Sequence, residues 1–73
     1  MYFMKILAIS EITKSERVYS SMADLKFWLR NRPWISAKVL RSWNLYRILP
    51  DGSKVSMRYG VRNMYDFVDY YRI

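Results

Sequence analysis

Apolar side chains follow several different rhythms along this chain. From Tyr2 to Ile12 they occupy both alternations, with Ile6, Leu7, Ile9 and Ile12 all β-prone. That is the pattern of a strand with cover on both faces. Lys14-Ser15-Glu16 forms a polar break, and Arg17-Val18-Tyr19 reads as a short second strand pairing back. Met22, Leu25, Trp28 and Leu29 then recur at helical spacing and form one apolar stripe. Ser21, with Asp24 three residues on, resembles a capping box and marks the helix start. Asn31-Arg32-Pro33 marks its end, because the residue before a proline is pushed out of the α region. The spacing predicts a helix over 21–31.

The next stretch supports two patterns. Ile35, Val39 and Trp43 lie four apart behind Ser36, as in a short capped helix. Val39, Trp43 and Leu45 against Leu40, Tyr46 and Ile48 also alternate, as in a strand. Residues 35–43 stay open between helix and strand on this evidence.

Pro50-Asp51-Gly52-Ser53 predicts a tight hairpin turn, with proline fixing φ and glycine free to take positive φ. Beyond it, Val55, Met57 and Tyr59 alternate with Lys54, Ser56 and Arg58, which predicts a strand ending at Gly60. Met64, Phe67, Val68 and Tyr71 form the clearest helical stripe, behind Asn63 as cap and with Asp66 in the first turn. That predicts a helix over 63–72. Met22, Leu25, Leu29, Phe67, Val68 and Tyr71 are the expected core.

These elements predict one α+β domain spanning residues 1–73, with helices on one face of a small antiparallel sheet. A helix at 35–43 makes the order winged-helix-like. A strand there makes it strand-strand-helix twice, with Ser21-x-x-Asp24 and Asn63-x-x-Asp66 as equivalent helix starts.

Composition narrows the chemistry. A chain of 73 residues buries a modest core, but here 52% of residues are apolar and thirteen are aromatic, enough to organise one. There is no cysteine and no histidine. Disulfides, thiolate zinc sites and thiol nucleophiles are excluded, as is the commonest general base. Without disulfides, a small domain is expected in the cytoplasm rather than outside the cell. The N-terminal apolar run ends early at Glu11, too short to span a membrane, so no membrane partner is expected.

Charge placement says more than the net charge of +7. Residues 1–24 balance, and residues 51–73 carry an excess of only one positive charge. The whole remaining excess lies in residues 25–50, where Lys26, Arg30, Arg32, Lys38, Arg41 and Arg47 stand without one acid. Basic residues are often only solvated surface that aids solubility. Six uncompensated cations repel one another, however, and a polyanion is the commonest partner that offsets such repulsion.

The expected role is therefore non-catalytic nucleic-acid binding, to DNA or RNA. Lys26, Arg30, Arg32, Lys38, Arg41 and Arg47 are the expected phosphate contacts, and Trp34 is the ring most expected to be exposed. Trp28 is assigned to the core, and Trp43 to either place. The competing expectation is protein binding to an acidic surface, as in a small accessory inhibitor of a larger complex. Trp, Tyr, Met and Arg, all plentiful here, are typical of interfaces. An exposed edge from Val55 to Tyr59 also offers pairing with a second copy, giving a homodimer.

No enzyme and no cofactor are expected. Asp24 and Asp66 suit helix starts, Asp51 a turn, Glu16 a polar turn and Glu11 a strand edge. Asp66 and Asp69, three apart, read better as a solvated helix face than as a metal site. Gly52 and Gly60 are the only glycines, so no glycine-rich phosphate loop exists.

Overall fold

The hairpin and helix signals become real elements in a computed structural model that describes residues 4–73. Tyr2 and Phe3, where the first apolar run begins, lie outside the described residues. The order is β1 (Lys5–Ser10), β2 (Glu16–Tyr19), α1 (Met22–Arg30), α2 (Ala37–Ser42), β3 (Trp43–Ile48), β4 (Lys54–Ser56) and α3 (Met64–Tyr71). Residues 37–42 are helical, yet strand-strand-helix also occurs twice. The chain thus combines the two orders the sequence left open, with α2 set between two ββα halves.

The helix starts of the two halves are built alike. Ser21 Oγ accepts the Asp24 N–H at 3.1 Å, while the Asp24 carboxylate accepts the Ser20 N–H at 3.0 Å. Asn63 Oδ1 accepts the Asp66 N–H at 2.8 Å, and the Asp66 carboxylate accepts the Arg62 N–H at 3.1 Å. In both cases the cap satisfies a free N–H of the first turn, and the first-turn carboxylate reaches back to the N–H just before the cap. α1 stops where expected, with Asn31 Nδ2 donating to the Phe27 carbonyl at 2.8 Å.

The strands form one antiparallel sheet in the order β2-β1-β3-β4. Cross-strand partners share a face and neighbours along a strand alternate, so the register assigns every residue to one side. Ile6, Ala8, Ser10, Arg17, Tyr19, Trp43, Leu45, Arg47 and Val55 share the first face. Ile6, Ala8, Tyr19 and Leu45 pack there with Leu25, Leu29, Met64 and Phe67 from the helices. Leu25 and Phe67 are fully buried. Met22, Trp28, Val68 and Tyr71 border this core and are only partly buried.

The second face carries Lys5, Leu7, Ile9, Glu16, Val18, Asn44, Tyr46, Ile48, Lys54 and Ser56, and no core cluster covers it. Against the sequence expectation of cover on both faces of β1, among the described residues only the first face packs against helices, although Leu7 on the second is itself buried. Leu7 has Val18 and Tyr46 as its cross-strand neighbours on this face.

One further expectation fails in the last hairpin. Its turn closes as read: Leu49 N–H donates to the Ser53 carbonyl at 2.8 Å, and Asp51 accepts from Ser53. The strand after it ends at Ser56, however, and does not reach Tyr59. Met57 still turns into the core, but Tyr59 sits in the left-handed region at φ 63° with its ring in solvent. A turn replaces the strand's last residues, closed by the Val61 N–H on the Arg58 carbonyl at 3.2 Å. The edge offered for pairing is thus three residues long.

Candidate nucleic-acid interface

The central cations lie on the helix-bearing side of the sheet or on the helices themselves. Lys26 and Arg30 are one turn apart on α1. Lys26 Nζ lies 4.3 Å from the centre of the Tyr71 ring at the end of α3. Arg32, in the loop after α1, lays its guanidinium 4.3 Å over the Trp28 ring and donates to the Trp28 carbonyl at 3.2 Å. Arg41 of α2 lies 4.1 Å over Tyr65 of α3. Lys38 is exposed on α2. Arg47, half-buried on β3, donates from Nε to the Ser56 carbonyl at 2.9 Å.

These contacts have a common feature. Each stacked cation rests on an aromatic face, which attracts positive charge without neutralising it. Among the described residues the only ion pair is Arg62–Asp66, at 3.9 Å and largely exposed. Among the described residues, none of the six central cations has a carboxylate partner. The rings hold the long side chains in place, so less rotamer freedom remains to be lost on binding.

Arg30, Arg32 and Arg47 of the six central cations line two clefts. The first, of about 240 Å³, is lined by Arg30, Arg32, Pro33, Leu40, Val68 and Ile73, among others. The second, of about 290 Å³, is lined by Met4, Met22, Arg47, Met57, Arg58, Tyr59 and Tyr71. Lys26 links them: it stacks on Tyr71 of the second cleft and sits one turn before Arg30 of the first. Arg41 lies farther along α3, against Tyr65 in its first turn. Trp34 extends from the loop between α1 and α2 and is 75% exposed.

Burial pushes the Tyr71 phenol above its ordinary pKa, helped by the neighbouring Tyr70 and Tyr59 phenols. Burial likewise raises Tyr19, against the pull of Arg17 and Arg32. The Tyr19 hydroxyl is buried with no hydrogen-bond partner among the described residues. Trp28 is half-buried between Tyr19, edge-on at 5.8 Å, and the guanidinium groups of Arg17 and Arg32. Trp43 is also half-buried, beneath Arg17.

The sequence did not single out Arg17, Arg58, Tyr59 or Tyr71 as site residues. Arg58 and Tyr59 stand in a tail of almost balanced charge, where a charge count gives no signal. The alternation of Lys54, Ser56 and Arg58 put Arg58 on the uncovered face, away from the cleft it lines, because β4 ends before it. Nothing in the sequence marks which ring will lie under which cation, since Lys26 meets Tyr71 and Arg41 meets Tyr65 only through the fold.

Among the described residues no group of three or more acids gathers as metal ligands, and no helix is long and apolar enough to cross a membrane. Compared with protein-family models, curated proteins and solved structures, the chain shows no significant match to any.

Proposed function

We propose that this protein is a non-catalytic nucleic-acid-binding domain that grips phosphates with the cations of its helix-bearing side. Lys26, Arg30, Arg32, Lys38, Arg41 and Arg47 supply the charge, and Trp34 supplies an exposed ring. The observation that carries the proposal is the set of six central cations with no acidic partner, several of them seated on aromatic rings. Such an arrangement suits release of the counterions condensed on a polyanion.

Single strands are the preferred form. α2 presents Lys38 and Arg41, but its six residues span only about 9 Å, a short reach for reading a duplex groove. Exposed rings beside cations suit unpaired bases, which stack on them whatever the sequence. The acids serve the fold instead: Asp24 and Asp66 at helix starts, Asp51 in a turn, and Glu11 accepting from Asn44 at 2.9 Å.

A titration with duplex DNA, single-stranded DNA and RNA at two salt concentrations tests the proposal. Affinity should fall linearly on a log–log salt plot, by about 0.7 per phosphate on a single strand. Absence of binding to all three at low salt would end it.

A protein partner is the second reading, favoured by one observation. The uncovered sheet face carries an apolar row of Val18, Leu7 and Tyr46 across three strands, with Val18 58% exposed. An acidic protein surface would meet Lys5 and Lys54 on the same face.

A further inference from the structure

The second cleft differs from the rest of the helix side in combining cations, a soft apolar bed and an aromatic rim. Met4, Met22 and Met57 line it, and thioether side chains adapt to flat aromatic surfaces. Arg47 and Arg58 are its charged walls, Lys26 lies against the lining ring of Tyr71, and among the described residues no acid lines it. Arg47 is oriented by its Nε bond to the Ser56 carbonyl, which leaves its terminal nitrogens for a ligand.

Tyr59 forms the rim. A bulky residue at φ 63° is a strained backbone choice, and strain of this kind concentrates at functional sites. Here it sets the Tyr59 ring parallel to Tyr70, at 5.2 Å between centres and 4° between planes, with 68% of the residue exposed. Asp66 and Asp69 line a separate depression against the same tyrosine pair. Cations and acids therefore line different depressions, and only the basic one favours an anion.

We propose that this cleft is a nucleotide subsite, with a base against Tyr59 and the methionine bed and its phosphate held by Arg47, Arg58 and Lys26. The proposal rests on the nucleic-acid reading above and locates one unit of the strand within it. A volume of about 290 Å³ is at the small end of ligand pockets, so it takes one nucleotide and excludes a base pair. From there the strand passes Lys26 and Arg30 toward the first cleft, where Arg32 and then Trp34 follow.

The test is a fluorescence titration of a labelled oligothymidine of about twelve nucleotides. Wild type, Tyr59→Asn and Arg58→Ala are compared. Asparagine tolerates the left-handed backbone better than most residues, so the first change removes the ring and keeps the turn. Thermal unfolding of both variants checks that the fold is retained. Tyr59→Asn should weaken binding about tenfold to a hundredfold with the salt slope unchanged. Arg58→Ala should lower the slope by about 0.7. If wild type binds and both variants match it in affinity and slope, the subsite is wrong while nucleic-acid binding stands. If wild type does not bind at low salt, both proposals fall.

Discussion

The two faces of the sheet carry similar side chains to different ends. Leu45 and Tyr46 are neighbours on β3, yet Leu45 is buried under the helices and Tyr46 lies on the uncovered side. On the covered side, α1 and α3 close over Ile6, Ala8 and Leu45, while α1, the loop after it and α2 carry Lys26, Arg30, Arg32, Lys38 and Arg41. On the uncovered side, Val18, Leu7 and Tyr46 rely on one another for shelter. The covered face supplies most of the stability and holds the charge in place. The uncovered face is left as surface.

The largest expected effect comes from breaking the covered side. Leu25→Ala and Phe67→Ala should each cost about 2–5 kcal/mol in urea unfolding, whereas Val18→Ala should change stability by less than about 0.5 kcal/mol. A loss at Val18 equal to that at Leu25 would mean that something covers the open face in solution. Sedimentation at two protein concentrations would then show whether a second copy does so.

The next effect sharpens the contrast in binding. Trp34→Ala should weaken single-strand binding by about 1–3 kcal/mol and leave duplex binding nearly unchanged, as measured by parallel titrations. Equal losses on both would make Trp34 a structural residue of the loop.

Smaller still are the single cations. Arg32→Ala and Arg41→Ala should each flatten the salt slope by about 0.7 on a single strand and weaken all sequences alike. Lys54→Ala, beside Tyr46 on the other face, should leave the slope unchanged.

Most elements on the covered side were legible in the sequence. The stripe from Met64 to Tyr71 and both helix starts are local patterns, and local hydrogen bonds enforce them. Residues 35–43 were not legible, because α2 is shorter than the window in which a helical period declares itself. The spacing of Ile35, Val39 and Trp43 failed at Val39, which is 43% exposed, while Leu40 packs inward with Trp43 and Ser36 caps the helix as read. The end of β4 was hidden because alternation continues through Arg58 and Tyr59 while the backbone turns. The charge-rich stretch was readable from the chain. Its division into two clefts was not, since it depends on Tyr71, Arg58 and Ile73, which arrive from the other half.

The smallest expected effect concerns the β3–β4 turn. Hydrogen bonds from the Ser53 hydroxyl and N–H hold the Asp51 carboxyl below its ordinary pKa. A depressed carboxylate contributes stability above its unfolded pKa and loses it as pH falls through the folded value. Asp51→Ala should therefore make acid unfolding slightly less steep in that range and change nothing near neutrality beyond the loss of the turn bonds.

The most direct test of which face binds is amide chemical-shift mapping of the labelled protein on addition of a short oligothymidine at low salt. Shifts should concentrate at Lys26–Arg41, Arg47, Met57–Gly60 and Val68–Ile73, with Leu7, Val18 and Tyr46 almost still. Shifts centred on Leu7, Val18 and Tyr46, with the helix side unmoved, would contradict the account.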